Sequence, residues 1–124
     1  MKEFEIGVDI QKINDFCNTT KGFLSKIFTM REIDYCSKKS KPAQHFAAKF
    51  AAKEATIKAL SQFKEDIFYK DIEILINGRK PYVEIRKPLT NRYFIKTSIS
   101  HSGGYALGFV IAMKNGQSKN KSRK

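Results

Sequence analysis

The chain has 124 residues, 41% of them hydrophobic, enough for one packed core and too few for two, so a single globular domain is expected. Twenty-four Lys and Arg oppose twelve acids, a net +12. Five of those cations and no acid lie between Lys114 and Lys124, which leaves nineteen against twelve, or +7, in the body up to Met113.

A body this basic favours polyanionic partners, and charge does not choose among nucleic acid, an acidic protein and a phosphorylated small molecule. No stretch approaches the about 18 apolar residues of a membrane span, and no basic flank with an apolar core opens the chain. Cys17 and Cys36, with two histidines and no CxxC, exclude a disulfide scaffold and a Cys/His zinc site. An unexported protein of the reducing cytoplasm is expected.

Phe4, Ile6, Val8 and Ile10 alternate with Glu5, Gly7 and Asp9, which predicts a half-buried strand with Asp9 turned away from the apolar face. Thr19–Gly22 reads as a break, followed by helical turns through Phe23, Leu24, Ile27 and Phe28. Thr29 with Glu32 forms a capping box and starts a helix to about Lys38. From Ala43 to about Phe63 there is no Gly or Pro and there are seven alanines, the strongest helix in the chain. Phe46, Phe50, Ile57 and Leu60 cluster on one stripe, and Ala48, Ala52 and Ala59 form a second side open to close approach by another backbone.

Ile72, Ile74 and Ile76, a turn at Asn77–Gly78 and the run Tyr82–Arg86 predict a hairpin. Tyr93–Ser100 and Tyr105–Ala112 make a second pair of β-runs around His101–Gly104. The order β–α–α–β–β–β–β predicts an α+β fold, a mostly antiparallel sheet packed on one long buried helix plus shorter helices. Residues 1–113 form the domain and 114–124 a basic tail expected to be disordered.

Glu54 and Lys58 on the long helix are spaced i, i+4 among apolar neighbours. They read either as a helix-stabilising pair or as a carboxylate for a hard cation beside an amine for phosphate charge. Asp9 is either an exposed residue of an edge strand or the second carboxylate such a site needs. Mg²⁺ takes one or two protein carboxylates with phosphate oxygens and water, so Asp9 with Glu54 has the stoichiometry for a bound pyrophosphate. His101, among Ser98, Ser100 and Ser102, reads as a surface turn residue, a catalyst or part of an anion site. Lys49 and Lys53 read as the solvated edge of the helix.

Gly7–Ile10, Phe28–Glu32 with Tyr35–Cys36, Phe50–Ala55 with Lys58–Ala59, Asn77–Gly78 with Pro81, and Ser98–His101 with Tyr105–Ala106 stand in one order. Together they resemble the holo-acyl-carrier-protein synthase family over residues 4–112. The resemblance implies a 4′-phosphopantetheinyl transferase fold and activity. Such an enzyme moves the phosphopantetheine arm of coenzyme A to a serine of apo acyl carrier protein and releases adenosine 3′,5′-bisphosphate. It implies Asp9 and Glu54 as Mg²⁺ ligands, Glu54 and Lys58 as catalytic residues, and Lys49, Lys58, Ser100 and His101 at the coenzyme A site. Whether Glu54 itself or a water on the metal takes the serine proton stays open.

Family members form homotrimers with active sites between subunits, and the resemblance implies the same here. Acyl carrier proteins are acidic, which gives the +7 body a steering role. Three positions depart from the family pattern: Asp15 and Lys49 stand where arginines are usual, and Ser61 where a glycine is common. The rival reading is a non-catalytic basic module binding RNA or an acidic protein. No RNP-like aromatic block, GxxG clamp or zinc knuckle supports nucleic acid, which also has no need of acids at both Asp9 and Glu54.

Overall fold

The computed structural model describes residues 3–115. Strand β1 (Phe4–Lys12) is followed by a 3-10 turn (Ile13–Phe16) and helices α1 (Lys21–Ile27), α2 (Met30–Ser37) and α3 (Pro42–Ser61). Strands β2 (Ile72–Asn77), β3 (Lys80–Ile85), β4 (Tyr93–Ser102) and β5 (Tyr105–Lys114) complete the chain. Strands β1, β5 and β4 form one antiparallel sheet in that order, and β2 and β3 form a separate antiparallel hairpin. The expected antiparallel sheet is thus divided in two, and the turns after Thr20 are a third helix.

Local signals account for most boundaries. Thr20 Oγ1 accepts the Phe23 amide and starts α1, a cap within the stretch that reads as a break in sequence. At α2 the Thr29 amide donates to Glu32 Oε1 at 2.9 Å and the Glu32 amide donates back to Thr29 Oγ1, the predicted capping box. Gly103 and Gly104 both take positive φ, which lets a two-residue turn join β4 to β5 with the strand twist intact.

Helix α3 lies against the inner face of the three-stranded sheet, and two glycines set how closely. A Cβ on Gly7 would sit 2.0 Å from the Ala55 carbonyl oxygen, and one on Gly108 would sit 2.6 Å from the Ala51 carbonyl carbon. Ala51, Ala52, Ala55 and Ala59 meet these glycines fully buried, so helix and sheet backbones nearly touch. The side of α3 marked by small residues is the side another backbone occupies, as its alanines predict.

That contact reverses one expectation. Gly7 must face the helix, so the odd-numbered residues of β1 point inward and the alternating apolar set points out. Phe4, Ile6, Val8 and Ile10 are 51–59% exposed, while Asp9 lies on the helix side. The strand has the predicted period and the opposite sense, because backbone approach at Gly7 rather than side-chain polarity decides which face is covered.

Two apolar clusters flank α3. One gathers Leu60, Ile67, Ile72, Ile74, Ile85 and Val110, the other Phe16, Leu24, Ile27, Phe28, Cys36 and Phe46. Between them lies a polar knot the sequence does not announce. Glu32 and Lys53 are fully buried and paired at 2.8 Å. Glu32 also accepts the Ile74 amide at 2.7 Å, and the Lys53 ammonium donates to the Tyr69 and Ile72 carbonyls. Lys49, 2% exposed, donates to the Ile74 carbonyl. The expectation that Lys49 and Lys53 form a solvated edge is therefore corrected: both reach through the core to carbonyls at the start of β2.

Lys114 ends β5, its amide bonded to the Glu3 carbonyl, and the Asn115 amide donates to the Arg92 carbonyl. Ordered structure thus passes the boundary expected at Met113, and the rest of the expected tail lies outside the described residues. No helix among the described residues is long and apolar enough to cross a membrane.

Candidate active site

Asp9 enters the site from the helix-facing side of β1, one strand position beyond Val8. Its side chain is 14% exposed, with Oδ1 3.1 Å from Lys58 Nζ and Oδ2 accepting from Gln11 Nε2 at 2.6 Å. Lys58 also donates to the Val8 carbonyl at 3.0 Å, so one ammonium closes on both backbone and side chain of β1. Glu54, one turn earlier on α3, takes a different partner: its Oε2 accepts the Tyr69 hydroxyl at 2.7 Å. Oε1 accepts no hydrogen bond from the described residues. The i, i+4 pair read as one alternative in sequence is not formed, because Lys58 spans to Asp9 instead.

Burial first, and then the hydrogen bond to Glu54 and the charges of Glu54 and Asp9, push the Tyr69 hydroxyl up to about 12. Asp9 is tied to Lys58, one turn along α3 from Glu54, so both carboxylates lie where β1 meets α3. Asp9 and Glu54 are hard oxygen donors, one with an uncommitted oxygen and one bound by an exchangeable, half-exposed lysine. This donor set fits Mg²⁺, which needs few protein ligands when phosphate and water supply the rest. Among the described residues no group of three or more His, Cys, Asp or Glu forms a larger metal cluster.

Ser100 and His101 belong to a second cluster at the other edge of the sheet. His101 Nε2 is 3.2 Å from Gln44 Nε2 at the start of α3, and both residues line a cavity of about 310 Å³ with Tyr35, His45, Arg79 and Ser100. Burial lowers the His45 pKa, and the charges of Lys39, Lys49 and His101 lower it further, a mark of positive potential. That potential suits an anionic ligand. Lys49 lies behind this cavity, its ammonium 4.5 Å from the centre of the Tyr35 ring. A 2% exposed cation bonded to a main-chain carbonyl is not a surface phosphate ligand, so the structure does not bring Lys49 to the place the resemblance implies.

The two clusters do not meet within one chain. Asp9 pairs with Gly108, which pairs on its other side with Ile99, two residues before His101. Two strand spacings of about 4.8 Å separate these rows, and α3 is seated on Gly108 between them. The sequence singles out Asp9, Glu54, Lys58, Ser100 and His101 as candidates; Tyr69, Gln44, His45 and Arg79, which the structure places beside them, were not among those candidates. Tyr69 carries no motif signal, since its partner is fifteen positions away on another element.

A profile of the family described as the 4′-phosphopantetheinyl transferase superfamily matches residues 5–110. The chain belongs to this superfamily. Within it, the holo-[acyl-carrier-protein] synthase of Halothermothrix orenii is 37% identical over 117 residues, covering 86% of this chain and 94% of that protein. The Protochlamydia amoebophila protein of the same name is 44% identical over 95 residues, covering 72% and 77%.

Solved members of the superfamily share the fold. The Helicobacter pylori holo-[acyl-carrier-protein] synthase in complex with coenzyme A matches with a TM-score of 0.73 at 30% identity, over 86% of this chain and 98% of that one. The Bacillus anthracis enzyme, in complex with CoA (3′,5′-ADP), matches with a TM-score of 0.76 at 27% identity, over 93% and 100%. The expected α+β architecture, with one long helix on antiparallel strands, is that of these synthases.

Proposed function

We propose that this chain is a holo-acyl-carrier-protein synthase, a Mg²⁺-dependent enzyme of the cytoplasm that transfers 4′-phosphopantetheine from coenzyme A to a serine of apo acyl carrier protein. The observation that carries the reading is the meeting of Asp9 and Lys58, with Glu54 one turn away, in a member of this superfamily. Two unpaired thiols, Cys17 and Cys36, agree with a reducing compartment.

The serine oxygen forms a bond to the phosphorus that carries the pantetheine arm, and the bond from that phosphorus to the bridging oxygen breaks. Adenosine 3′,5′-bisphosphate leaves with the bond's electron pair. Asp9 and Glu54 would hold Mg²⁺, which supplies charge neutralisation at the pyrophosphate when bound. Lys58 is 53% exposed at its side chain and rests on Asp9, so its ammonium is free to turn to a phosphate oxygen and offset the charge on the leaving group. The serine proton would pass to Glu54 or to a water held beside it. The positive cavity of His45, Arg79, Ser100 and His101 would receive the nucleotide phosphates.

The active assembly is a homotrimer whose sites lie between subunits. The outer face of the three-stranded sheet supports this, since Ile6 lies beside Ile111, Val8 beside Phe109 and Ile10 beside Leu107 across β1 and β5. A contiguous apolar sheet face of this kind is the mark of an interface. The separation of the Asp9 and His101 clusters within one chain gives the interface a purpose, because a neighbour could bring one cluster to the other. Asp15, exposed on the 3-10 turn, puts an acid where family members present arginine to the carrier, and carrier attraction then rests on the surrounding lysines.

Mass spectrometry of apo acyl carrier protein incubated with coenzyme A, Mg²⁺ and the chain tests the reading. The wild type should convert the carrier to its phosphopantetheinylated form. Asp9→Ala and Glu54→Ala should each lose about a hundredfold or more in rate with the circular dichroism unchanged. Near-normal turnover in either variant at ordinary Mg²⁺ overturns the site.

A further inference from the structure

The Tyr69 hydroxyl is bonded to Glu54 Oε2 at 2.7 Å, yet Tyr69 is not on the helix that carries Glu54. It opens the 3-10 turn Tyr69–Asp71 that leads into β2. Three separate contacts hold it there. Its ring packs on Phe50, centroids 5.3 Å apart, and Phe50 lies one turn before Glu54 on α3. Its carbonyl accepts the buried Lys53 ammonium at 2.7 Å, and Lys53 is locked to Glu32. Its turn is closed by Asp71, which accepts the Phe68 amide at 2.8 Å and pairs with Arg86. Backbone and ring are thus both anchored independently of the hydroxyl, and the hydroxyl is aimed by them.

The chemistry of the contact matters as much as its geometry. A phenol is a neutral donor, so it orients a carboxylate without cancelling its charge. Lys58, at i+4, is the cation that helix geometry would offer Glu54, and pairing with it would neutralise the carboxylate. In the structure Oε2 is taken by Tyr69, Lys58 is held at Asp9, and Oε1 accepts nothing from the described residues. Groups that bond to the far oxygen of a metal-binding carboxylate fix its direction, and their loss weakens metal binding.

We infer that Tyr69 is a positioning residue that acts through Glu54, holding the carboxylate oriented so that Oε1 is presented to a divalent cation. This rests on the reading of Asp9 and Glu54 as a cation site given above. The buried Glu32–Lys53 pair then serves the site as well as the core, since it anchors the Tyr69 backbone.

Tyr69→Phe removes only the hydroxyl and keeps both the ring on Phe50 and the carbonyl on Lys53. Mn²⁺ titrated into the full chain, with free Mn²⁺ read by electron paramagnetic resonance, should bind about tenfold more weakly in Tyr69→Phe than in wild type. In the transfer assay the Mg²⁺ concentration for half-maximal rate should rise by a similar factor. At saturating Mg²⁺, kcat and the KM for coenzyme A should return to within about twofold of wild type.

A purely structural tyrosine would instead lower Tm and kcat with the metal dependence unmoved, and that result overturns the inference. Glu54→Gln separates the two levels of the argument. If it loses Mn²⁺ while Tyr69→Phe binds as wild type does, the cation site stands and the role of Tyr69 falls. If Glu54→Gln and wild type bind Mn²⁺ alike, the cation site is wrong and the role of Tyr69 falls with it.

Discussion

Lys58 of α3 closes on Asp9 of β1, Nζ to Oδ1 at 3.1 Å, and not on Glu54 one turn before it. The pair joins residues 49 positions apart and ties the middle of β1 to the far end of the long helix. It also keeps an ammonium beside the carboxylates without spending it on a buried contact, since the Lys58 side chain remains about half exposed.

Lys58→Met should therefore be a catalytic lesion rather than a folding one. An exposed ion pair contributes about 0–1 kcal/mol to stability, so the unfolding midpoint should barely move. Loss of the charge that offsets the leaving group should lower kcat by about tenfold or more, with a smaller effect on the KM for coenzyme A. Steady-state kinetics on the purified variant check this. An unchanged kcat would leave Lys58 as a tie between β1 and α3 and nothing more.

The buried lysine one turn and a residue earlier should behave in the opposite way. Lys53 is fully buried against Glu32, and burial pulls its pKa down while Glu32 pulls it back up. Lys53→Met leaves the Glu32 carboxylate in the core with two amide donors and no cation, a change that costs about 3–5 kcal/mol. Urea unfolding should show the loss, and Glu32→Gln/Lys53→Met should recover part of it because no uncompensated charge remains. A double variant as unstable as the sum of the singles would count against the pair as the source.

The outer face of β1 offers a test of assembly that leaves the catalytic cluster alone. Ile6 is 56% exposed, and its side chain lies on the face opposite Asp9. Ile6→Lys puts an ammonium into the proposed interface, where desolvation is costly. Light scattering should find the wild type as a trimer and the variant as a monomer with unchanged circular dichroism. Transfer should fall with the trimer, because the Asp9 and His101 clusters then lack a common subunit boundary. Full activity in a monomer would refute sites between subunits.

What short-range chemistry governs was open to reading in the sequence. Thr29 and Glu32 are three residues apart, so their reciprocal capping is written into the chain, and α2 starts where they stand. The alanine run of α3 and the glycines of the Gly78 and Gly103–Gly104 turns act within a few residues as well. Asp9, Glu54, Lys58, Ser100 and His101 stood out as candidates through motif order, which carries family information rather than geometry.

Contacts between distant segments decided the rest. The alternation of β1 predicts a strand but not which face is covered, and the answer came from Gly7 and Gly108, about a hundred residues apart, which together admit the α3 backbone. Lys49 and Lys53 carry the composition of a solvated edge, yet β2 arrives with carbonyls that need donors, and Glu32 arrives with a charge that needs a cation. Lys58 had two carboxylates to choose from, and Tyr69, reaching Glu54 from beyond the end of the helix, left it Asp9. Sequence by itself determined the elements and the chemical kinds of the site residues, because those follow from backbone preference and side-chain type. Only the tertiary structure decided who pairs with whom, because a buried donor, acceptor or charge takes its partner from whatever the packing of remote segments brings within about 3 Å.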